Sequence, residues 1–370
     1  MAALLAIVVA LILYGTLAPF HFEFGLHAGN PVAYLLHSWQ GRIDRAAMRD
    51  GLLNVAIFLP LGGAACLTFA HHWKRRTGFL LAVGYASALS FCIEILQFYE
   101  KSRYTSAADW LCNTLGALAG AALALVFQRR LEALTSGAER RGAGAGLLLG
   151  SCWMGAQLYP LLPRITSARL AAGWAHLAGT RFSWVEIVAG AAGWYVFGLA
   201  LRAIWGKLPW AWLALAMFAV PMRLAITDRV VNKSDLAAAA VGLLLWCVTA
   251  ESVREGIGWL LLVAAIVLRE LAPFHFSGPA HPFSWMPFAA TMSAEHAPGI
   301  SVILRKAFEY GAMVWLLTAG KLRYRTAAIV VAVALAGMEM LQTHMPGRQP
   351  EITDSVLTLL MALLLRMLAS

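Results

Sequence analysis

Five polar or ionisable side chains lie where one predicted apolar helix ends and the next begins: Glu94, Gln97, Arg103, Asp109 and Asn113. Glu94 and Gln97 are three residues apart and share a helix face, and Asp109 and Asn113 share another at a spacing of four. Arg103 lies in the short connection between these helices. Such a group could recognise an anionic ligand through Arg103, or it could use Glu94 and Asp109 as an acid and base pair.

The composition places these groups in a membrane protein. Of the 370 residues, 60% are hydrophobic and only 13% are charged, which predicts several bilayer spans rather than one soluble core. The net charge of +10 does not indicate nucleic-acid binding, because most Lys and Arg fall between apolar runs, where they orient a membrane chain. A charged group at membrane depth costs about 2.5–3.5 kcal/mol. Glu94 is therefore expected near an interface or beside a partner, for which Arg103 and Asp109 are the nearest candidates.

Each feature also has a purely structural explanation. Arg103 and Asp109 could tether the start of the second helix, where a carboxylate meets the positive end of the helix dipole. Glu94 and Gln97 could form an interhelical hydrogen-bonded pair. Asp50, Glu94 and Asp109 with amide oxygens could hold Mg²⁺ or Ca²⁺, but no tight ligand spacing supports this. We therefore predict neither a metal nor a cofactor.

The apolar runs predict about twelve transmembrane helices in an all-α polytopic fold. They cover residues 2–18, 51–70, 78–98, 109–127, 145–162, 185–204, 210–226, 236–250, 256–271, 303–319, 326–342 and 354–369. Dense clusters of Lys and Arg, such as Lys74-Arg75-Arg76, fall on one side, whereas the charges of the other side are spread over longer loops. Both termini are therefore expected in the cytoplasm, and the Glu94 group is expected to face outward.

This orientation can be tested by labelling single cysteines with an impermeant reagent from outside. A cysteine at Ser102 should be modified, and one at Thr77 should be spared, because the predicted topology places them on opposite sides. The reverse pattern would overturn the orientation and the outward position of the polar group.

Internal repetition is the second strong signal in the chain. Residues 17–22, LAPFHF, recur identically at 271–276, and Leu158-Tyr159-Pro160 is a weaker echo. The downstream pattern recurs too, since Glu339, Gln342, Arg348 and Asp354 keep the spacings of Glu94, Gln97, Arg103 and Asp109. Between them, Val220 and Arg223 replace the Glu and Gln, while Arg229 and Asp235 keep the six-residue interval.

The repetition predicts three repeats of four helices each. An even number of crossings returns the chain to the same side, so the repeats should be parallel rather than inverted. We predict a first repeat at 1–140, a degenerate second repeat at 141–254 and a third at 255–370.

The first repeat resembles the VanZ-like family. The resemblance rests on Asp50 and Asn54 before Phe58-Leu59-Pro60-Leu61-Gly62, then on Glu94 with Gln97, Arg103 with Asp109, and Asn113-Thr114-Leu115-Gly116. It covers 14–127 well, 269–369 moderately and 157–250 poorly. The family is named for an accessory protein of glycopeptide resistance that lowers susceptibility to teicoplanin. The resemblance implies a multi-pass protein of the bacterial cytoplasmic membrane, but it implies no established biochemical activity.

Carried over by position, the resemblance makes one set of residues in the first repeat the predicted ligand-binding site. These are Asp50, Asn54, Glu94, Gln97, Arg103, Asp109 and Asn113. The third repeat keeps Glu339, Gln342, Arg348 and Asp354, but it has Lys306, Tyr310 and Thr358 where Asp50, Asn54 and Asn113 would stand. The first repeat is therefore expected to hold the more intact site. His21 and His275 of the LAPFHF motif are further candidates, although they fit interfacial positions equally well.

Three function classes follow. The first is a non-enzymatic membrane protein whose outward polar site binds a lipid-linked glycan, an anionic lipid or a lipophilic glycopeptide, with membrane lipids as partners. The second is an enzyme of envelope glycan or lipid metabolism, with Glu94 and Asp109 as catalytic candidates. The third is a transporter, which the sequence favours less because no predicted span shows paired mid-helix breaks. The chain lacks a nucleophile elbow, an HExxH zinc motif and a P-loop, so the non-enzymatic class is favoured.

Overall fold

The structure is a computed structural model that describes most of the chain. The residues outside the description are 1, 19, 26–28, 40–44, 102, 136–140, 161–162, 208–209, 227–228, 277, 279, 289–297 and 370. For 3, 45, 46, 49, 127–135, 141 and 298 the backbone is described but the side chain is not. Ser102 and Pro19 thus lie outside the described residues, while Thr77 is an exposed residue near the start of a helix.

The chain divides into two compact units, Met1–Ala133 and Leu134–Ser370. The N-terminal unit is built from α1 (Ala2–Leu17), α2 (Pro31–His37), α3 (Arg45–Ala70), α4 (Arg75–Gln97) and α5 (Ala107–Thr135). The division of the chain into three repeats near 140 and 254 remains a prediction.

In the described residues of the C-terminal unit there are ten α-helices. They are α6 (Arg141–Leu158), α7 (Ser167–Gly179), α8 (Trp184–Trp205), α9 (Trp210–Met217), α10 (Ala219–Met222), α11 (Lys233–Val248), α12 (Arg254–Leu271), α13 (Pro298–Ala319), α14 (Tyr324–Gln342) and α15 (Thr353–Ala369). Short 3₁₀ turns follow α10 and precede α12.

The prediction of an all-α polytopic membrane protein is confirmed, but the count of twelve spans is not. Within the described residues, five helices are long and apolar enough to cross a membrane: Asp50–Ala70, Arg75–Gln97, Ala107–Val126, Trp184–Trp205 and Tyr324–Gln342. The count reaches six if Lys233–Val248 and Glu251–Leu271, which meet at a bend of 115°, form one broken span. The described ranges contain helices and no strands. A helix satisfies all of its backbone hydrogen bonds internally, as lipid requires of a single spanning segment.

Small residues set the distance between α3 and α5 in the N-terminal unit. A Cβ atom added to Gly116 would lie 2.3 Å from the carbonyl oxygen of Val55, and one added to Gly120 would lie 1.8 Å from that of Leu59. Only glycine fits at these two positions without moving a backbone. Two small residues four positions apart thus allow the two helix backbones to approach closely.

Helix α8 forms the centre of the C-terminal unit. Of its apolar window 67% is buried, against 28–33% for the other four candidate spans. Trp194 packs edge-to-face on Trp153, which also stacks against Phe308 of α13. Helices of the predicted second and third repeats thus share one aromatic core.

Candidate functional site

Arg103 binds the end of α1 rather than a carboxylate. Its Nη2 donates to the carbonyl oxygens of Gly15 at 3.2 Å and Ala18 at 3.0 Å, and its Nε donates to Ala18 at 3.3 Å. The last carbonyls of a helix have no partner within the helix, and a cation there also meets the negative end of the dipole. The expected pairing of Arg103 with Glu94 is not among the described contacts. Arg103 therefore caps the end of α1, whereas the structural alternative had it tether the start of the following helix.

Arg229 and Arg348 make the equivalent contact in the C-terminal unit. Each guanidinium donates to two carbonyls three residues apart at the end of a helix: Ala156 and Tyr159 for Arg229, and Arg269 and Ala272 for Arg348. The distances are 2.6 Å from Arg229 to Tyr159, and 2.9 and 3.1 Å from Arg348 to Arg269 and Ala272. Burial, followed by the charge of nearby Arg223, lowers the pKa of Arg229 to about 10, so the guanidinium is protonated at neutral pH.

Glu94 and Glu339 bind the start of the following long helix. Glu94 is 2% exposed, and its Oε2 accepts the backbone N–H of Ser106 at 2.8 Å. Glu339 is 3% exposed, and its Oε2 accepts the N–H of Glu351 at 3.0 Å. In both cases the acceptor meets an N–H twelve residues later, so the two carboxylates occupy equivalent places.

In the second predicted repeat, Val220 stands where the first and third have Glu94 and Glu339. The backbone N–H twelve residues later is bound there by a different carboxylate. The backbone N–H of Asn232 donates to Oδ2 of Asp235 at 2.9 Å, within a capping box at the start of α11. Loss of the glutamate is thus compensated locally. This arrangement leaves Asp235 in a capping role.

In each predicted repeat, the residue three positions after the glutamate position contacts the first helix of that repeat. Gln97 contacts α1, Arg223 contacts α6 and Gln342 contacts α12. Gln97 Nε2 donates to the carbonyl oxygen of Thr16 at 2.9 Å, and Gln342 Nε2 donates to Oε2 of Glu270 at 3.0 Å. Arg223, in the same place, donates to Oε1 of Gln157 at 3.4 Å and forms an ion pair with Asp235 at 3.3 Å. The partner positions Thr16, Gln157 and Glu270 precede the three prolines by the same three residues.

Asp109 and Asp354 occupy the same position in the first and third predicted repeats, but they have different partners. The Asn54 side chain hydrogen-bonds Asp109, and Asp50 lies close enough to act on it electrostatically. At the corresponding positions, Lys306 Nζ lies 2.6 Å from Oδ1 of Asp354, and the Tyr310 hydroxyl donates to Oδ2 of Asp354. Lys306 and Tyr310 were departures from the family pattern, yet they contact the same aspartate position as Asp50 and Asn54.

The remaining candidates are Asn113, which is buried, and His21 and His275, which are exposed. Asn113 is buried, and its Nδ2 donates to Ser90 Oγ at 2.9 Å. His21 contacts the Glu100 carboxylate through its backbone N–H at 3.2 Å, and its side chain is exposed, as is that of His275. The described residues contain no group of three or more His, Cys, Asp or Glu side chains arranged to hold a metal ion.

A polar pocket of about 360 Å³ lies beside the third-repeat candidates. Its lining includes Glu339, Gln342 and Arg348 from the predicted set. Four charged side chains that are not among the predicted site residues also line it: Arg269, Glu270, Arg305 and Glu351. Glu270 carried one usable signal, since an ionisable residue directly before the repeated LAPFHF hexapeptide is unusual in an apolar helix.

Ion pairs link most of the charges in and behind this pocket. Arg269 and Arg305 both bind the buried Glu309, the latter at 2.7 Å. Lys306 lies 3.9 Å from Glu270 in addition to its contact with Asp354. The pocket therefore presents hydrogen-bond donors and acceptors of nearly balanced charge.

Comparison with known families agrees with the motif analysis for the N-terminal part of the chain. Residues 3–128 match the VanZ/LLP1 family model. The VanZ-like resemblance predicted from the motifs is thereby confirmed over this region. A comparison with curated proteins gives no match, and a comparison with solved structures gives none.

Proposed function

We propose that this VanZ-like membrane protein is a non-enzymatic envelope protein that binds the hydroxyl-rich head group of a lipid-linked glycan. The binding site is the polar pocket bounded by Arg269, Glu270, Lys306, Glu339 and Arg348, hereafter the head-group pocket. The observation that carries the proposal is the size and balanced polar lining of this pocket. The proposal includes a position in the bacterial cytoplasmic membrane with both termini in the cytoplasm.

The size of the head-group pocket suits part of a ligand rather than a whole lipid. Its volume of about 360 Å³ is at the lower end of the range for small-molecule sites, roughly 300–1,000 Å³. The acyl or prenyl part of a lipid would remain in the bilayer, where it needs no protein pocket. A compact polar head group is therefore the part that this pocket can hold.

The charges favour a hydroxyl-rich head group over a strongly anionic one. Four cations line the pocket, Arg269, Arg305, Lys306 and Arg348, together with three carboxylates, Glu270, Glu339 and Glu351. Behind them, Glu309 and Asp354 are 3% and 1% exposed at their side chains, and both are bound to these cations. Because the cations already have carboxylate or carbonyl partners, little positive charge remains for a diphosphate. Sugar hydroxyls both donate and accept, so they suit such a lining.

The contacts of Glu339 and Arg348 support binding rather than catalysis. Glu339 accepts the N–H of Glu351, and Arg348 donates to two helix-end carbonyls. Both side chains therefore hold the backbone that shapes the head-group pocket. A general acid or base must instead be free to exchange a proton with its substrate.

Filling the head-group pocket should abolish binding. Val302 lines the pocket and is partly exposed, so Val302→Trp places an indole inside it while every ion-pairing side chain is retained. We expect the full-length protein in nanodiscs to bind N-acetylglucosamine joined to a polyprenyl chain by a glycosidic bond without phosphate, and the variant to bind it at least about tenfold more weakly, or about 1.4 kcal/mol. The measurement is a thermal-shift titration with this glycolipid.

Ile329→Trp is the matched control, since Ile329 is 59% exposed on α14 and lies outside the pocket lining. This variant should bind like the unaltered protein. Phosphatidylglycerol should not compete. Unchanged binding by Val302→Trp, or equal binding of phosphatidylglycerol, would rule the proposal out.

A further inference from the structure

Helix α7 has one polar side, and Arg169 and His176 on that side contact the connection that precedes α11. Arg169 Nη2 donates to the carbonyl oxygen of Ile226 at 2.8 Å, and His176 Nε2 lies 2.9 Å from Oδ1 of Asn232. Lys233 Nζ donates to the carbonyl oxygen of Ala178 at 2.8 Å, close to the end of the helix. These contacts fix the rotation of α7 about its own axis.

The opposite side of α7 is apolar and exposed. Ala168, Ala171, Ala175 and Ala178 are exposed and follow one another at helical spacing, and Trp174 beside them is 60% exposed. The side that faces the protein holds Gly173 against Leu224, with Leu170 and Leu177 partly buried against the core. Exposing an apolar alanine face and a tryptophan ring to water is unfavourable, whereas both fit the boundary between lipid head groups and acyl chains.

The length of α7 excludes a transmembrane position. Its 13 residues extend about 20 Å at 1.5 Å per residue, whereas the hydrocarbon core is about 30 Å thick. Five residues after α7 ends, α8 begins at Trp184, and α8 is a candidate span. The C-terminal end of α7 is therefore tethered to one end of a membrane-crossing helix.

The residues that flank α7 are those expected at an anionic membrane surface. Ile165, Phe182 and Trp184 are 73%, 67% and 61% exposed, and Arg164 and Arg181 lie beside them with exposed side chains. Aromatic rings gather at the membrane–water interface, and arginines there attract anionic lipid head groups. We propose that α7 lies in the membrane–water interface, with its alanine and Trp174 face toward the acyl chains and Arg164 and Arg181 at the head groups.

The N-terminal unit contains a shorter counterpart of this arrangement. Thr180 Oγ1, just after α7, accepts the N–H of Lys233 at 3.2 Å, and Ser38 Oγ, just after α2, accepts the N–H of Ala107 at 2.9 Å. Exposed Leu36 and Trp39 accompany α2. A hydroxyl docks each short helix on the start of a longer one in both units. The interfacial placement of α7 does not depend on the ligand of the head-group pocket.

Spin labels on α7 test the placement directly. The full-length chain, with its five cysteines replaced by alanine, would carry one label at Ala171→Cys or Ala175→Cys in vesicles of phosphatidylethanolamine and phosphatidylglycerol. Both positions are exposed alanines, so the labels should not disturb folding. We expect collisions with oxygen, which concentrates in lipid, to exceed those with a water-soluble nickel chelate several-fold.

Lys207→Cys is the control, because Lys207 is exposed in the loop after α8. A label there should favour the nickel chelate. If the labels at Ala171 and Ala175 behave like the label at Lys207, α7 lies in water and the inference is wrong. A label at His176→Cys, on the polar side, should be less accessible to oxygen than its neighbour at Ala175.

Discussion

Replacing Lys306 with methionine should lower the free energy of unfolding of the C-terminal unit by about 3–5 kcal/mol. The ammonium lies 2.6 Å from Asp354, whose side chain is 1% exposed, and 3.9 Å from Glu270, whose side chain is 9% exposed. Methionine keeps most of the side-chain volume but removes the charge. Two buried carboxylates would then lose a cation that compensates for their desolvation. Chemical unfolding in mixed micelles measures the change.

Two further variants separate this ion-pair effect from a general one. Lys306→Met combined with Asp354→Asn should recover part of the loss, because the carboxylate left without its cation is removed together with the lysine. Lys321→Met, at an exposed position after α13, should change stability by no more than about 0.5 kcal/mol. Equal effects of Lys306→Met and Lys321→Met would contradict the ion-pair assignment.

Replacing Arg103 with alanine should destabilise the N-terminal unit by about 3 kcal/mol, since a hydrogen bond to a charged group contributes roughly 1.5–3 kcal/mol. The guanidinium donates to the carbonyls of Gly15 and Ala18, the last of which is buried. Alanine would leave these carbonyls without a donor at the end of α1. Arg103→Lys should retain part of the stability, because an ammonium keeps the charge but not the planar fork. The readout is the unfolding midpoint of the full-length protein in detergent.

Lys101→Ala is the matched control in the same connection. Lys101 pairs with Glu23 at 3.8 Å, but both side chains are mostly exposed, so the change should cost less than about 1 kcal/mol. Arg348→Ala, which removes the equivalent contacts to Arg269 and Ala272, should destabilise the C-terminal unit in the same direction. If Arg103→Ala and Lys101→Ala have the same effect, Arg103 does not cap α1.

The sequence by itself determined the structural class and the placement of the main helices. A bilayer offers no hydrogen-bond partner to the backbone, so long apolar runs have to be helices, and their positions can be read from hydrophobicity alone. The absence of a Cβ at Gly116 and Gly120 is also a local property that allows another backbone to approach closely, but only the structure shows that this backbone is α3. The VanZ-like motif was also visible, and the family match covers residues 3–128.

The number of crossings could not be settled in the same way. The sequence predicts about twelve, and five described helices reach the length and apolarity of a span. Interfacial helix α7 was missed, because its alanine-rich sequence has few large apolar residues and its exposed face is visible only once the polar side is docked.

Only the tertiary structure decided which side chains meet. Nearness along the chain made Arg103 and Asp109 the candidate partners of Glu94, yet Arg103 binds the end of α1 and Glu94 binds the N–H of Ser106. Lys306 lies 48 residues before Asp354, and no local pattern joins them. Spacing along one helix reports only which side chains share a face. Contacts between helices depend on where the connections place each helix end, and a long side chain such as arginine or lysine reaches whichever buried acceptor lacks a partner there.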